Sequence, residues 1–560
     1  MGWKQQVGSG KNPVVRRGKS VGIHKLNVRS KNGFFGDPVL FQIASAFHAS
    51  LVPELAELGA YTVSDEAHEK ARLVNSYLPQ FRFCDEWGTL SESIDVHPAY
   101  HSLLTRSRHA GIGCSLFEDA GEESHVRYQA RAVRLFLLAG LESGHLEELC
   151  QSSAGFHVLA EDAELFTQWK PLLTSPVHDP SSKPFPQKHG GSLTLAIGEE
   201  HAAAASPSSA SMAEVIYADL QTRREFYGIA GCKTAVVNPV VDGFIVSAAF
   251  EGKQSLFLVP RLLATGKVNS IFLEPVKGAG TGFSAPCCNV RFQQSAGWMI
   301  GIPGTGHGLL ARVEQDLAFD HAVMIAGMIR SVLHHAVTYT RQNHDKQPGI
   351  ALAERALADA ALDGAAASVL VLRLARALDL AEKNPQEAAF AAIMRPAIRY
   401  WLLHVLGQVI DCAVAVTDSR SPLPGSLFSR AIGLRMHNFY FDGHANLLVL
   451  EVVKVIRQAP DMFRSVVTAL GNEIGTAGTR TTEVLRVAAD MALSDEGAAF
   501  LLVEQLVYAF ASANLHALDC DAVATAYIES RLGGQWRSTY GMLSPRYNAG
   551  FILEALYPSH

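Results

Sequence analysis

The sequence predicts an α+β multidomain chain. A helical N-terminal domain comes first, then a central antiparallel β-barrel-like domain, then a C-terminal helical bundle with extra helices beyond it. Three observations carry this. Apolar residues recur at helical spacing from Pro38 to about Leu173, the pattern of amphipathic helices. Short β-branched and aromatic runs, separated by Asp242-Gly243, Glu251-Gly252 and Gly-rich turns, fill the middle, as in hairpin-built sheets. After the glycine loop Gly301–Gly308, long Ala/Leu-rich helical stretches return, a composition that lets helices pack closely.

In order, Leu40–Leu58, Ala67–Leu78, Tyr100–Ser107 and Val126–Leu141 read as helices, with Gly140 and Gly144 near their stops. His97-Pro98 marks a helix entry, because the residue before proline is pushed out of the helical region. A Pro/Ser/Lys-rich connector covers 174–189. The expected strands are Val215–Leu220, Phe226–Ile229, Thr234–Val237, Phe244–Phe250, Ser255–Val259, Ser270–Val276 and Asn289–Phe292. The bundle helices are His321–Arg341, Ile350–Asn384, Gln386–Val416 with a kink expected at Pro396, and Asn446–Gln458. A last helical segment runs from Asp461 to Gly533, followed by a tail. The expected units are a basic arm or targeting-like segment at 1–36, the N-terminal helical domain at 37–188, the β domain at 189–302, the bundle at 303–459 and the extension at 460–560.

With 18% charged and 48% hydrophobic residues over 560 positions, the chain is globular and large enough for several units. No stretch reads as a membrane span: the best, Tyr400–Val416, is short and is broken by His404 and Asp411. The eight cysteines form no CxxC, which points to free, mostly buried thiols in a reducing compartment. Residues 1–36 hold eight Lys/Arg and no acid, leaving 40 basic against 54 acidic residues in the rest. Such a start fits a mitochondrial leader, with cytoplasmic residence as the alternative, or an arm for an acidic partner. Residues 460–560 hold six arginines, no lysine and eleven acids. That segment should repel a phosphate backbone, so nucleic acid is expected only at the N-terminal arm.

The stretch Gly433–Lys454 carries the main chemical candidate. Phe439, Tyr440 and Phe441 deliver Asp442 onto a turn at Gly443, before a helix opening at Asn446. A carboxylate walled by rings at a helix mouth can be a general base. It is more often an N-cap. The loop GIPGTGHG at Gly301–Gly308 lacks the Lys-Ser/Thr of a phosphate loop and reads as a turn. His334, His335 and His344 lack the acidic partners at helical spacing that a metal would need, so no metal is expected.

The order of units and several strings together resemble the acyl-CoA dehydrogenase superfamily, in its AidB-type (alkylation-response) branch. The strings are His97-Pro98-Ala99-Tyr100-His101, Phe257–Arg261, Leu273-Glu274, Gly297-Trp298, Phe319-Asp320 and Phe441-Asp442-Gly443-His444-Ala445-Asn446. The resemblance covers roughly residues 85–460. It implies the three-part acyl-CoA dehydrogenase fold and a glutamate base that removes an acyl thioester α-proton while hydride passes to FAD. Asp442 stands at the base position; Lys233, Asn238, Gly443 and Asn446 stand at positions near the cofactor.

The family's other motifs are altered. Its Thr-Glu-x-x-Gly-Gly-Ser-Asp turn corresponds to 199–206, where alanines replace glycines and Ser206 the aspartate. After Gly231 and Lys233, the family's flavin-facing Trp and Thr/Ser become Ala235 and Val237, and a methyl cannot satisfy a flavin polar atom. Lys-x-Lys-x-Gly-x-Arg becomes Lys277 to Phe283, and two arginines fall at Ala318 and Asn343. The Phe-Gly after the second falls at Lys346-Gln347, and the Gly-Gly-x-Gly-Tyr loop becomes 418–422. Asp for Glu also retracts the carboxylate by about 1 Å, enough to cost about a hundredfold in rate. The sequence therefore points to an acyl-CoA dehydrogenase homologue with no FAD or weakly bound FAD. It would serve as a structural or assembly subunit of a larger, mitochondrial complex or as a homo-oligomer. The alternative is an active FAD-dependent enzyme with Asp442 as base; a nucleic-acid-binding flavoprotein is disfavoured by the acidic C-terminal region.

Overall fold

A computed structural model of the chain describes residues 32–559 except 48, 85, 89, 115, 117–125, 200–210, 219–223, 277–281, 346–348, 418–422, 442–444, 475–477, 519 and 534–538. The N-terminal part contains α1 (Pro38–Phe47), α2 (Val52–Thr62), α3 (Asp65–Ser76), a hairpin of β1 (Gln80–Cys84) and β2 (Leu90–Asp95), α4 (Pro98–His109), α5 (Arg127–Leu141), α6 (Gly144–Leu159) and α7 (Ala163–Leu173). The entry at His97-Pro98 is as expected: the His97 ring accepts the Ala99 N–H and Pro98 is the first helical residue. The hairpin was not anticipated. Its first strand alternates, with Phe81 and Phe83 half-buried against the sheet core and Gln80, Arg82 and Cys84 exposed, but the run is only five residues long.

The middle contains β3 (Leu193–Ala196), β4 (Met212–Ala218), β5 (Glu225–Val237), β6 (Gly243–Phe250), β7 (Lys253–Pro260), β8 (Ile271–Glu274) and β9 (Cys287–Ile300). The expected antiparallel character needs one correction. The sheet order is β3-β6-β4-β5-β9-β7 with β8 on β9, and β3 runs parallel to β6, so the sheet is mixed. The short run Leu193–Ala196 is buried throughout and carries no alternation to reveal it as a strand. Two expected strands, Phe226–Ile229 and Thr234–Val237, are one strand, β5, that bends twice against β9 at register shifts. Gly231 sits between them at φ +152°; a Cβ there would meet Ser211 Oγ at 2.3 Å.

The C-terminal half is helical: α8 (Gly306–Gln342), α9 (Ile350–Leu380), α10 (Pro385–Val416), α11 (Leu427–Phe441), α12 (Ala445–Gln458), α13 (Pro460–Ile474), α14 (Gly478–Ser494), α15 (Ala499–His516), α16 (Asp521–Arg531) and α17 (Ala549–Leu556). The tail after Gly533 thus contains a helix, and α8 begins inside the glycine loop. α10 continues through Pro396. Two helical stretches, Pro385–Val416 and Glu496–His516, are long and apolar enough to cross a membrane by length and composition, contrary to expectation. Inside this fold 72% and 61% of their apolar windows are buried. α10 packs against α8, α9 and α12, and α5 packs across α8, so the N-terminal helices and the bundle share one apolar core. The α5–α8 contact contains a buried bidentate ion pair, Arg131 to Asp320 at 2.8 and 2.7 Å. All eight cysteines are free thiols.

Candidate functional site

Helix α6 lies where the N-terminal helices, the sheet and the bundle meet, and it turns polar residues inward. His145, Glu147, Glu148 and Gln151 are all buried. On a helix alone these residues would read as a solvated face. Buried, each needs a partner, because an unpaired buried charge is strongly destabilising.

The helix starts on Glu142, whose two carboxylate oxygens accept the N–H groups of Gly144 (2.9 Å) and His145 (3.2 Å). The same carboxylate accepts Nδ1–H of His145 at 2.6 Å and the Ser284 hydroxyl at 2.5 Å. Burial alone would push Glu142 up, but the His145 and Ser284 hydrogen bonds outweigh it and hold the carboxyl near 2. Nε2 of His145 in turn accepts the Ser107 hydroxyl at 2.8 Å. This is a Ser–His–Glu arrangement whose serine is fully buried, at 0% exposure.

A second cluster crosses from α6 to the bundle. His321 of α8 places Nε2 2.9 Å from Glu147 Oε2, and Arg399 of α10 reaches His321 Nδ1 at 2.8 Å. Guanidinium only donates. Nδ1 is therefore the acceptor, and the His321 proton sits on Nε2, directed at Glu147. His437 of α11 brings Nε2 to 3.8 Å from the same carboxylate oxygen, and its ring packs against Phe283 with centroids 4.2 Å apart. Burial raises Glu147, but His321 and His437 overcome this and hold it near 2; burial depresses His437 to about 4. α11 approaches closely here because Gly433 has no side chain: a Cβ would lie 2.8 Å from Gly282 O.

A third cluster joins α6 to the sheet. Glu148 accepts the Ser192 hydroxyl at 2.8 Å and the Asn238 side-chain amide. Burial holds Glu148 above the usual carboxylate range despite Ser192 and Arg108. The Thr194 hydroxyl lies 2.5 Å from Val237 O and 2.9 Å from Gln151 Oε1. Beside this cluster is a cavity of about 230 Å³, lined in part by Tyr100, His101, Glu148, His178, Lys188 and Asp242.

The residues singled out in the sequence are placed as follows. Lys233 is fully buried in the sheet, with Nζ 2.6 Å from Glu199 and 3.0 Å from Ser247 Oγ. Asn238 is half-buried at the end of β5 with φ +42°, tied to Glu148. Asn446 is exposed in the first turn of α12. Ala318 is buried on α8 and Asn343 caps its end. Asp442 and Gly443 lie outside the described residues, as do 200–206, 277–281, Lys346-Gln347 and 418–422. Glu142, His145, Glu147, Glu148, His321, Arg399 and His437 were not anticipated as a group. Their partners are more than 60 positions away for the most part, and only His437, within the singled-out stretch, carried a signal. The histidines that were weighed as ligands behave as packed or solvated groups. His335 lies edge-on to Phe428, His344 is exposed, and no cluster able to hold a metal occurs among the described residues.

Residues 25–180 match the family model for the adaptive response protein AidB N-terminal domain. Over 419 residues the chain is 27% identical to the putative acyl-CoA dehydrogenase AidB of Escherichia coli (strain K12), covering 73% of this chain and 75% of that protein. The chain is an acyl-CoA dehydrogenase-like protein related to AidB. Its fold is that of Caenorhabditis elegans ACDH-11 solved with C11-CoA, at TM-score 0.71 and 16% identity over 99% of this chain and 94% of that one. It is also that of a Bacillus anthracis acyl-CoA dehydrogenase complexed with FAD, at TM-score 0.56 and 15% identity over 88% of this chain and 81% of that one.

The Bacillus anthracis structure holds FAD, and in this chain the end of β5 is where the AidB-type resemblance would place a flavin. The described residues there do not fit a flavin. Val237 is 1% exposed and packs into the helical core with Phe283 and Ala285. The backbone donors along the bend are already used: Thr234 N–H bonds Gly198 O at 3.0 Å, Ala235 N–H bonds Asn289 Oδ1 at 3.1 Å, and Asn238 N–H bonds Pro286 O at 2.6 Å. A flavin's ring carbonyls and nitrogens would find the Thr234, Ala235 and Asn238 backbone donors already taken.

Proposed function

We propose that this AidB-related chain is a catalytically inactive member of its superfamily, retained as a structural or assembly subunit of a larger protein complex. The observation that carries the proposal is the buried Glu147–His321–Arg399–His437 cluster at the junction of α6, α8, α10 and α11. An acyl chain threaded into that junction would have to displace hydrogen-bonded charge with methylenes. Each methylene gains about 0.8 kcal/mol on burial, whereas stranding one buried charge costs about 3–5 kcal/mol. The occupied backbone donors of Thr234, Ala235 and Asn238 argue in the same direction for the cofactor. The basic, acid-free 1–36 segment supports a mitochondrial setting for the complex. The test is the purified full chain. Flavin-free protein that co-purifies at a native mass above one chain supports the proposal, and stoichiometric flavin sinks it.

A second reading follows from Asp442, which keeps a carboxylate at the base position of a family whose solved members include one bound to C11-CoA. In that reading the chain is an FAD-dependent acyl-CoA dehydrogenase. It requires bound flavin to bleach on adding fatty acyl-CoA and to stop bleaching in Asp442→Asn. Flavin that stays coloured across acyl chain lengths rules it out.

A further inference from the structure

Helix α14 packs on α12, α13 and α15 with one face and leaves the other open. Val484, Val487 and Met491, at helical spacing on that open face, are 42%, 50% and 48% exposed. The face runs into a groove of about 410 Å³ formed by Val487, Asp490, Met491, Ser494, Asp495 and Ala498. An apolar floor with acids at its rim calls for a partner that is apolar and basic together. Two copies of this face could not cover one another well, because Asp490 and Asp495 of each would meet like charges.

We propose that the groove is the docking site of residues 1–31 of the same chain. All eight cations of the acid-free start lie in this segment, and they are interleaved with apolar side chains: Val14-Val15-Arg16-Arg17, then Val21, Ile23, Lys25, Leu26, Val28 and Arg29. The surface it would meet belongs to a region with eleven acids, six arginines and no lysine. Reach is no obstacle. The segment leaves the fold at Asn32, which is pinned by its side-chain bond to Ala56 O and by the adjacent Gly33 N–H to Gly59 O. Thirty-one residues extend to about 100 Å, against a radius of gyration of about 24 Å for a compact chain of this length. The docking is independent of which reading of the α6 junction holds.

Zero-length carbodiimide cross-linking of the full chain tests this, because it joins amines only to carboxylates in contact. The expected products join Lys19 or Lys25 to Asp490, Asp495 or Glu496, and they disappear at high salt as the charges are screened. In the double variant Val487→Lys, Met491→Lys, on an exposed face, their yield falls about tenfold. In Arg16→Glu, Arg17→Glu, the amides of 484–494 exchange hydrogen faster than in the parent. A mixture of isotopically heavy and light chains separates the sources, since docking within one chain gives no mixed-isotope pairs. Mixed pairs, arm lysines joined mainly to acids elsewhere, or yields unchanged in the groove variant would each overturn the proposal.

Discussion

Nε2 of His321 lies 2.9 Å from Oε2 of Glu147, while its Nδ1 accepts from Arg399 at 2.8 Å. The imidazole thus bridges a buried cation and a buried anion, and the three side chains act as one unit. Replacing Glu147 by Gln removes the buried anion that accepts the His321 Nε2–H. The expected loss is about 1.5–3 kcal/mol of unfolding free energy, the scale of a hydrogen bond to a charged group, read from the denaturant midpoint. A loss below about 1 kcal/mol, the scale of exposed pairs, would show that water reaches the cluster.

His437 gives the chain a distinct acid response. Its folded pKa of about 4 lies below the ordinary 6.5, so the folded state binds fewer protons than the unfolded state between these values. Stability therefore falls as pH drops from about 6.5 to 4, by roughly 3 kcal/mol for this group. Glu142 and Glu147 act in the same direction but at lower pH. Their contribution is fully present above about 4.5 and is lost only as pH falls through about 2. Melting temperature against pH should decline across the first window, and His437→Asn should flatten that decline.

Val237 separates a filled junction from a working flavin seat. If the position is core, Val237→Thr buries a hydroxyl among apolar groups and destabilises the chain by about 1–3 kcal/mol, without flavin retention. If the position faces flavin, the added hydroxyl should instead raise flavin retention after gel filtration.

Arg131 is an independent check on how the N-terminal helices hold to the bundle. Arg131→Ala strands Asp320 in the α5–α8 contact and should cost about 3–5 kcal/mol, whereas the double change Arg131→Met, Asp320→Leu should recover most of it. Thermal unfolding of the two variants checks this.

Much of the architecture could be read from the chain because its signals are local. Helical periodicity marks α5, Ala/Leu-rich composition marks α9 and α10, and Asp242-Gly243 and Glu251-Gly252 mark the ends of β6. The AidB-type strings place Asp442 and the β5 end within a known order. What stayed hidden depends on distant partners. β3 is recognisable as a strand only once β6 lies beside it, and the alternation of Phe81 and Phe83 in β1 spans only five residues. The charges of α6 look like a solvated surface until His321 arrives from 174 positions away and Ser192 from 44. The loss of Thr at 237 was visible in the sequence, but the use of the Thr234, Ala235 and Asn238 backbone donors was not.

The central proposal is that this chain holds no flavin. It is tested most directly by the visible absorption spectrum of the full chain, incubated with excess FAD and then freed of unbound cofactor. The account predicts a colourless protein with no flavin absorption above that of a non-binding control. A yellow protein carrying about one flavin per chain, bleached by a fatty acyl-CoA, would contradict it.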